Sequence, residues 1–280
     1  MNQTITDKQL EQFFADNGLH GSVHYYIAAG RKIRYVSIGE AHLPTLFFIH
    51  GSPANVIMYS EYYKDPVLSK TFRILAVDRP GYGGSGYGEP EPSIEKQAEM
   101  IRPVIDGLNS ISRPLIIVAA SYGSSIACRL LMDHPNIADG TLLDSPAIAP
   151  GQEKFFWITP LVEHSFIRNI ITGHHRSANT EKIHHRQELL KMLPHWHKIK
   201  VPITYLQGKH DNMVYTTNAD FARMHLTNVP ELHFKFFENR QHLTIMKETE
   251  AVRDKILELY AYITHTSIQS SAPGWQKQKT

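Results

Sequence analysis

Apolar positions in this chain fall into two kinds of pattern, and the change from one to the other predicts its architecture. Val23-His24-Tyr25-Tyr26-Ile27 and Ile33-Arg34-Tyr35-Val36-Ser37-Ile38 alternate in polarity and are joined near Gly30. Their β-branched and aromatic residues predict a β-hairpin. Further on, the runs are short and continuously apolar: Leu46 to Ile49, Arg73 to Val77, Leu115 to Ala119, Thr141 to Leu143, Ile203 to Leu206 and Leu232 to Phe237. Runs of this kind predict strands buried on both faces. Helix-compatible stretches such as Ile94 to Leu108, Ser124 to His134 and Thr249 to Thr264 separate most of them. Buried strands alternating with helices predict an α/β fold, a mostly parallel twisted sheet with helices on both faces.

The alternation breaks between Ala147 and Ile199. There Phe155-Phe156-Trp157, Phe166-Ile167, Ile170-Ile171 and Leu189-Leu190 recur with helical spacing. The expected organisation is a core of residues 20–146 plus 200–265, with residues 147–199 as a small helical lid inserted between two strands. Residues 1–19 are expected to carry an amphipathic helix ended by Gly18. Residues 266–280, rich in Ser, Gln and Lys, are expected to form a flexible tail. Phe155, Phe156, Trp157 and Phe166 read as lid core whose inner face could also line a pocket.

At 280 residues the chain suffices for one large domain. Its formal net charge of +2 gives no basic face for nucleic acid. The single cysteine, Cys128, excludes an intrachain disulfide and suits a reducing compartment. No N-terminal signal pattern is visible, and no apolar run approaches the ~18 residues of a bilayer span. A cytoplasmic protein without a membrane span is therefore expected, and its oligomeric state stays open.

Chemistry enters at Val118-Ala119-Ala120-Ser121-Tyr122-Gly123, directly after an apolar strand. Small residues two before and two after a serine are what a sharp strand-to-helix turn requires when it lifts that serine out. Ala119 stands where a glycine is usual. Four more segments follow predicted strands: His50-Gly51-Ser52-Pro53, Asp78-Arg79-Pro80-Gly81-Tyr82-Gly83-Gly84-Ser85, Gly208-Lys209-His210-Asp211 and the stretch from Glu238 to Leu243 that carries His242. Together they resemble the α/β-hydrolase superfamily, in the branch with HGxP, DRxGxGxS, a serine elbow, GxxD and a late histidine. The resemblance covers about residues 20 to 265.

It implies an α/β-hydrolase fold and the order nucleophile, acid, histidine, which Ser121, Asp211 and His242 satisfy. A serine hydroxyl needs a base to take its proton, and the imidazole needs an acid to set its tautomer and support its charge. Asp144, in Leu143-Asp144-Ser145-Pro146, is the rival acid. Asp211 is preferred because Gly208 to Val214 matches the family's usual acid loop. The resemblance also implies an oxyanion hole from the backbone N–H groups of Ser52 and Tyr122, with His50, Gly51 and Gly123 in support. The Gly-rich run from Asp78 lacks the ending of a P-loop and the GxGxxG spacing, so it reads as a turn buttressing the site.

His174, His175, His184, His185, His195 and His197 lie in the insertion without a nearby cysteine or an HExxH pattern, so no metal is expected. No cofactor is expected either. Cys128 reads as a buried apolar residue, and His233 as structural. The expected function is a cofactor-independent serine hydrolase acting on a small or medium ester or acyl substrate with an apolar portion. A serine at the elbow argues against haloalkane dehalogenase and epoxide hydrolase chemistry, which uses aspartate there. Carbon–carbon bond hydrolysis, amidase or aminopeptidase activity, perhydrolysis and non-catalytic ligand binding remain alternatives, because fold does not fix reaction.

Overall fold

A computed structural model describes residues 4–108, 112–154 and 172–265. Eight strands form one sheet: β1 (Gly21–Ala28), β2 (Arg31–Ile38), β3 (Thr45–Ile49), β4 (Arg73–Val77), β5 (Leu115–Ala120), β6 (Gly140–Asp144), β7 (Ile203–Gly208) and β8 (Leu232–Phe237). Their order is β1-β2-β4-β3-β5-β6-β7-β8. The β1–β2 and β2–β4 pairings are antiparallel. Every other pairing is parallel.

The described helices are α1 (Asp7–Asp16), α2 (Ser60–Lys64), α3 (Pro66–Thr71), α4 (Ile94–Ile101), α5 (Pro103–Asp106), α6 (Tyr122–Asp133), α7 (Gly173–Met192), α8 (Thr217–His225) and α9 (Thr249–Thr264). The stretch Ile94 to Leu108, read as one helix from sequence, is split at Pro103, which lacks the N–H an uninterrupted helix would use. Thr6 caps α1: its hydroxyl accepts from the Gln9 N–H at 3.2 Å, and the Gln9 side-chain oxygen Oε1 accepts from the Thr6 N–H at 2.9 Å.

The central strands are apolar throughout because both sheet faces are covered. Phe47, Ile49, Leu75, Val77, Ile117 and Ala119 point to the face packed by α4, α6 and α8. Leu46, Phe48, Ile74, Ala76, Ile116 and Val118 point to the other, packed by α1, α2 and α9. Consecutive strand residues thus feed opposite cores, as a period of two demands. Between β6 and β7, α7 leads into a 3-10 turn, Leu193–Lys198, whose Trp196 is buried edge-on against Phe221. Phe155, Phe156, Trp157, Phe166 and the tail 266–280 lie outside the described residues. Cys128 is fully buried on α6.

Candidate active site

The loops that leave β3, β4, β5, β7 and β8 at their carboxyl ends meet at one place, as is usual for open α/β sheets. Ser121 occupies the one-residue turn between β5 and α6 at φ 50° and ψ −121°, a conformation costly for a residue with a side chain. Its N–H is held by the Asp144 carbonyl at 2.8 Å. A Cβ on Gly123 would lie 2.5 Å from the Ile49 carbonyl oxygen and 2.6 Å from that of His50, so only glycine lets α6 start this close to β3. Ala119 is fully buried in β5 between Ile49 and Leu143, where a methyl group fits.

His242 follows β8 and Asp211 follows β7. His242 Nε2 lies 3.0 Å from Ser121 Oγ, and His242 Nδ1 lies 2.8 Å from Asp211 Oδ2. The other carboxylate oxygen of Asp211 accepts from the N–H groups of Met213 and Val214, both at 2.9 Å. Burial alone would raise the Asp211 pKa, but the bond to His242, its charge and these two N–H groups outweigh that and hold it below its ordinary value. Gly208 makes the two loops fit, since a Cβ there would lie 2.3 Å from the Arg240 and Gln241 carbonyl oxygens.

These distances belong to a recognisable fold family. Residues 46–254 match the family model of the alpha/beta hydrolase family. The chain belongs to that family. A hydrolase of Saccharomyces cerevisiae, itself uncharacterised, is 22% identical over 282 aligned positions, covering 83% of this chain and 94% of that one. Among solved structures, a carboxylesterase of Bacillus subtilis superposes with a TM-score of 0.66 at 19% identity, covering 90% of this chain and 95% of that one. A peroxisomal alpha-beta-hydrolase of Saccharomyces cerevisiae superposes with a TM-score of 0.69 at 13% identity, covering 93% and 94%. At such identities the superpositions show the fold alone.

In this alpha/beta hydrolase the rival acid Asp144 sits elsewhere. It is fully buried, and one of its oxygens accepts from the Thr244 hydroxyl. Burial pushes its carboxyl up to about 6, against the pull of Thr244 and the Ile245 N–H. Beside it, Ser145 Oγ accepts from the Leu243 N–H at 3.2 Å. Thus the end of β6 holds the residues after His242, while Asp211 holds the ring itself.

On the other side of Ser121 lies the loop after β3. A Cβ on Gly51 would come within 3.1 Å of Ser121 Cβ. His50 is buried and neutral: its Nε2 accepts from the Arg79 N–H at 3.0 Å, which leaves the proton on Nδ1, 2.7 Å from the Gly51 carbonyl. Burial and the nearby Arg79 charge push its pKa well down. Ser52 Oγ lies 2.8 Å from Tyr82 Oη. Tyr122 opens α6, so its N–H belongs to the first turn, whose donors have no partner within the helix.

The Gly-rich run after β4 is a tight turn around Asp78. That carboxylate accepts from the Val56 N–H at 2.9 Å, the Gly84 N–H at 2.8 Å and Arg34 Nε at 2.6 Å. Gly83, at φ 49°, packs so close that a Cβ would strike the carboxylate. Sequence reasoning missed Arg79, Tyr82 and Glu181, which are buried together next to Ser52. The DRxGxGxS run marked the first two as part of a shaped turn, but nothing local marks Glu181 on α7. Of the insertion's histidines, His185 bonds Glu153 and Ser125. His174 packs against the Tyr82 and Tyr87 rings. Among the described residues no group of three or more His, Cys, Asp or Glu could hold a metal ion, and no helix is long and apolar enough to cross a membrane.

Proposed function

We propose that this hydrolase is a cofactor-independent serine hydrolase that cleaves a small or medium ester or related acyl compound with an apolar portion. The observation that carries the reading is the continuous relay from Ser121 through His242 to Asp211, at 3.0 and 2.8 Å, with the serine held at a positive φ. Ser121 Oγ attacks the carbonyl carbon as His242 Nε2 takes its proton. The imidazolium is supported by Asp211, which accepts from Nδ1. The oxyanion is bound by the backbone N–H groups of Tyr122 and Ser52. The intermediate collapses, and His242 returns the proton to the departing alkoxide. Water, deprotonated by His242, then releases the acid and regenerates the serine.

The lid expected over residues 147–199, of which 155–171 lie outside the described residues, would supply the apolar part of the pocket. The lone buried Cys128 suits work in the cytoplasm, where thiols stay reduced. The test is intact-mass analysis after treatment with a fluorophosphonate, run on the native protein and on Ser121→Ala. A single adduct on the native protein that vanishes in the variant supports the reading. A folded native protein that takes no adduct overturns it and favours a ligand-binding role. Ester, amide and diketone panels then separate the bond classes.

A further inference from the structure

One buried ion pair connects the proposed oxyanion loop to the segment between β6 and β7. Arg79 and Glu181 are 0% and 1% exposed, and both nitrogen ends of the guanidinium meet the carboxylate. Arg79 Nε also donates to the His50 carbonyl at 2.8 Å, and its Nη2 to the Gly51 carbonyl at 3.0 Å. The Gly51 carbonyl thus lies between two donors, Arg79 Nη2 and His50 Nδ1. Gly51–Ser52 is not among the cis peptide bonds, and in a trans unit C=O and N–H point opposite ways. A clamp on the Gly51 oxygen therefore turns the Ser52 N–H away from Arg79 and His50 and keeps it from flipping. The same carboxylate holds the side chain of that residue, because Tyr82 Oη donates to Glu181 Oε2 at 2.6 Å. The Tyr82 proton being used there, Ser52 Oγ–H donates to Tyr82 at 2.8 Å. Gln97 Nε2 adds a donor to Glu181 at 2.9 Å.

We propose that Glu181, through Arg79 and Tyr82, is the positioning residue that orients the Gly51–Ser52 peptide and so aims the Ser52 N–H at the developing oxyanion. The inference rests on the serine-hydrolase reading above. It adds that the oxyanion donor is assembled only when α7, which carries Glu181, is docked on the core. Removing the carboxylate leaves a buried guanidinium without its counter-charge, which must recruit other oxygens or water and release the Gly51 carbonyl. Loss of a full oxyanion donor lowers kcat about 10²- to 10³-fold, and a misaimed one is expected to cost at least about tenfold.

The test uses Glu181→Gln with two readouts. The first is independent of activity: the ¹⁵N–¹H signal of the Ser52 amide in the folded protein, expected to shift or split in the variant. The second is ester turnover per fluorophosphonate-titrated site. There kcat is expected to fall about tenfold or more with KM within about twofold, and the inhibition constant of an aryl boronic acid, which forms a tetrahedral adduct, to rise in parallel. A role confined to stability would lower the titrated fraction and leave turnover per site unchanged. An unmoved Ser52 amide, or unchanged turnover per site, overturns the proposal. If the native protein takes no fluorophosphonate, the hydrolase reading fails by itself, and the Ser52 amide alone decides whether the clamp exists. If Glu181→Gln does not fold, Tyr82→Phe, which keeps the ion pair but cuts the link to Ser52, is judged by the same two readouts.

Discussion

Replacing Asp211 by asparagine should inactivate the enzyme by reversing a tautomer rather than by disrupting the fold. In the native site one Asp211 oxygen accepts from the Met213 and Val214 N–H groups, and the other faces His242 Nδ1. An asparagine has one oxygen and one NH₂. The two backbone donors claim the oxygen, so the NH₂ is turned toward His242. The ring must then accept at Nδ1 and carry its proton on Nε2, the atom 3.0 Å from Ser121 Oγ. A protonated Nε2 cannot take the serine proton. Loss of the correct tautomer in a triad of this kind lowers kcat by about 10⁴, equivalent to about 5 kcal/mol of transition-state stabilisation. The assay is the rate of fluorophosphonate labelling and ester hydrolysis for Asp211→Asn beside Asp144→Asn, with thermal unfolding of both. Asp211→Asn should keep a near-native Tm, because the backbone donors keep their acceptor. Asp211→Asn within about tenfold of native activity, with Asp144→Asn losing 10³ or more, would refute the assignment and move the acid to Asp144.

Three further outcomes follow from the surroundings of single residues. The Asp144 carboxyl is raised from 3.8 to about 6, so between those values the folded state keeps a proton that the unfolded chain has lost, and stability falls as pH rises through that window. Asp144→Asn should therefore gain up to about 3 kcal/mol over the native protein at pH 7, with the gain shrinking toward pH 4; a denaturant series with a pH-independent difference would sink this. Gly123→Ala places a methyl 2.5 Å from the Ile49 carbonyl oxygen, so α6 must shift and carry Ser121 with it, and a loss in kcat of order 10² is expected in steady-state assays, with native-like turnover the contrary result. Burial pushes the Cys128 thiol far up, so a chromogenic disulfide reagent at pH 8 should find no thiol in the folded protein and one after unfolding; fast stoichiometric reaction of the native protein would contradict the packing.

Much of the fold could be read along the chain. The stretches that read as strands all lie within strands, and Thr249 to Thr264 is α9 at both ends. The short helices α2 and α3, of five and six residues, escaped because neither is long enough to show a helical period. Helix α8 was also missed; its nine residues leave Asn218 buried where an apolar residue would be expected, its side-chain oxygen Oδ1 accepting from the Ile148 and Ala149 N–H groups. The place of β4 between β2 and β3 was beyond reach, since strand order depends on crossover packing rather than on any run of residues. Ser121, Asp211 and His242 could be picked out because each follows a strand in a short motif, and the structure brings these three into hydrogen-bonding contact.

By itself the sequence determined which segments are strands, which faces they bury, and that a serine would stand at a turn demanding small neighbours. Those are properties of consecutive residues: a side-chain period of two, and the room a glycine leaves. Only the tertiary structure decided that Asp211 rather than Asp144 reaches His242. Asp144 is the last residue of β6 and Asp211 lies three residues past the end of the neighbouring β7, and the difference lies in which of them the histidine ring faces. Only the tertiary structure, too, joined Arg79 to Glu181 across 102 positions of sequence. Nothing near Glu181 distinguishes it from a solvated helix carboxylate until α7 lands over the end of β4. Burying one charge then requires the other, and that requirement is set by where two distant segments meet.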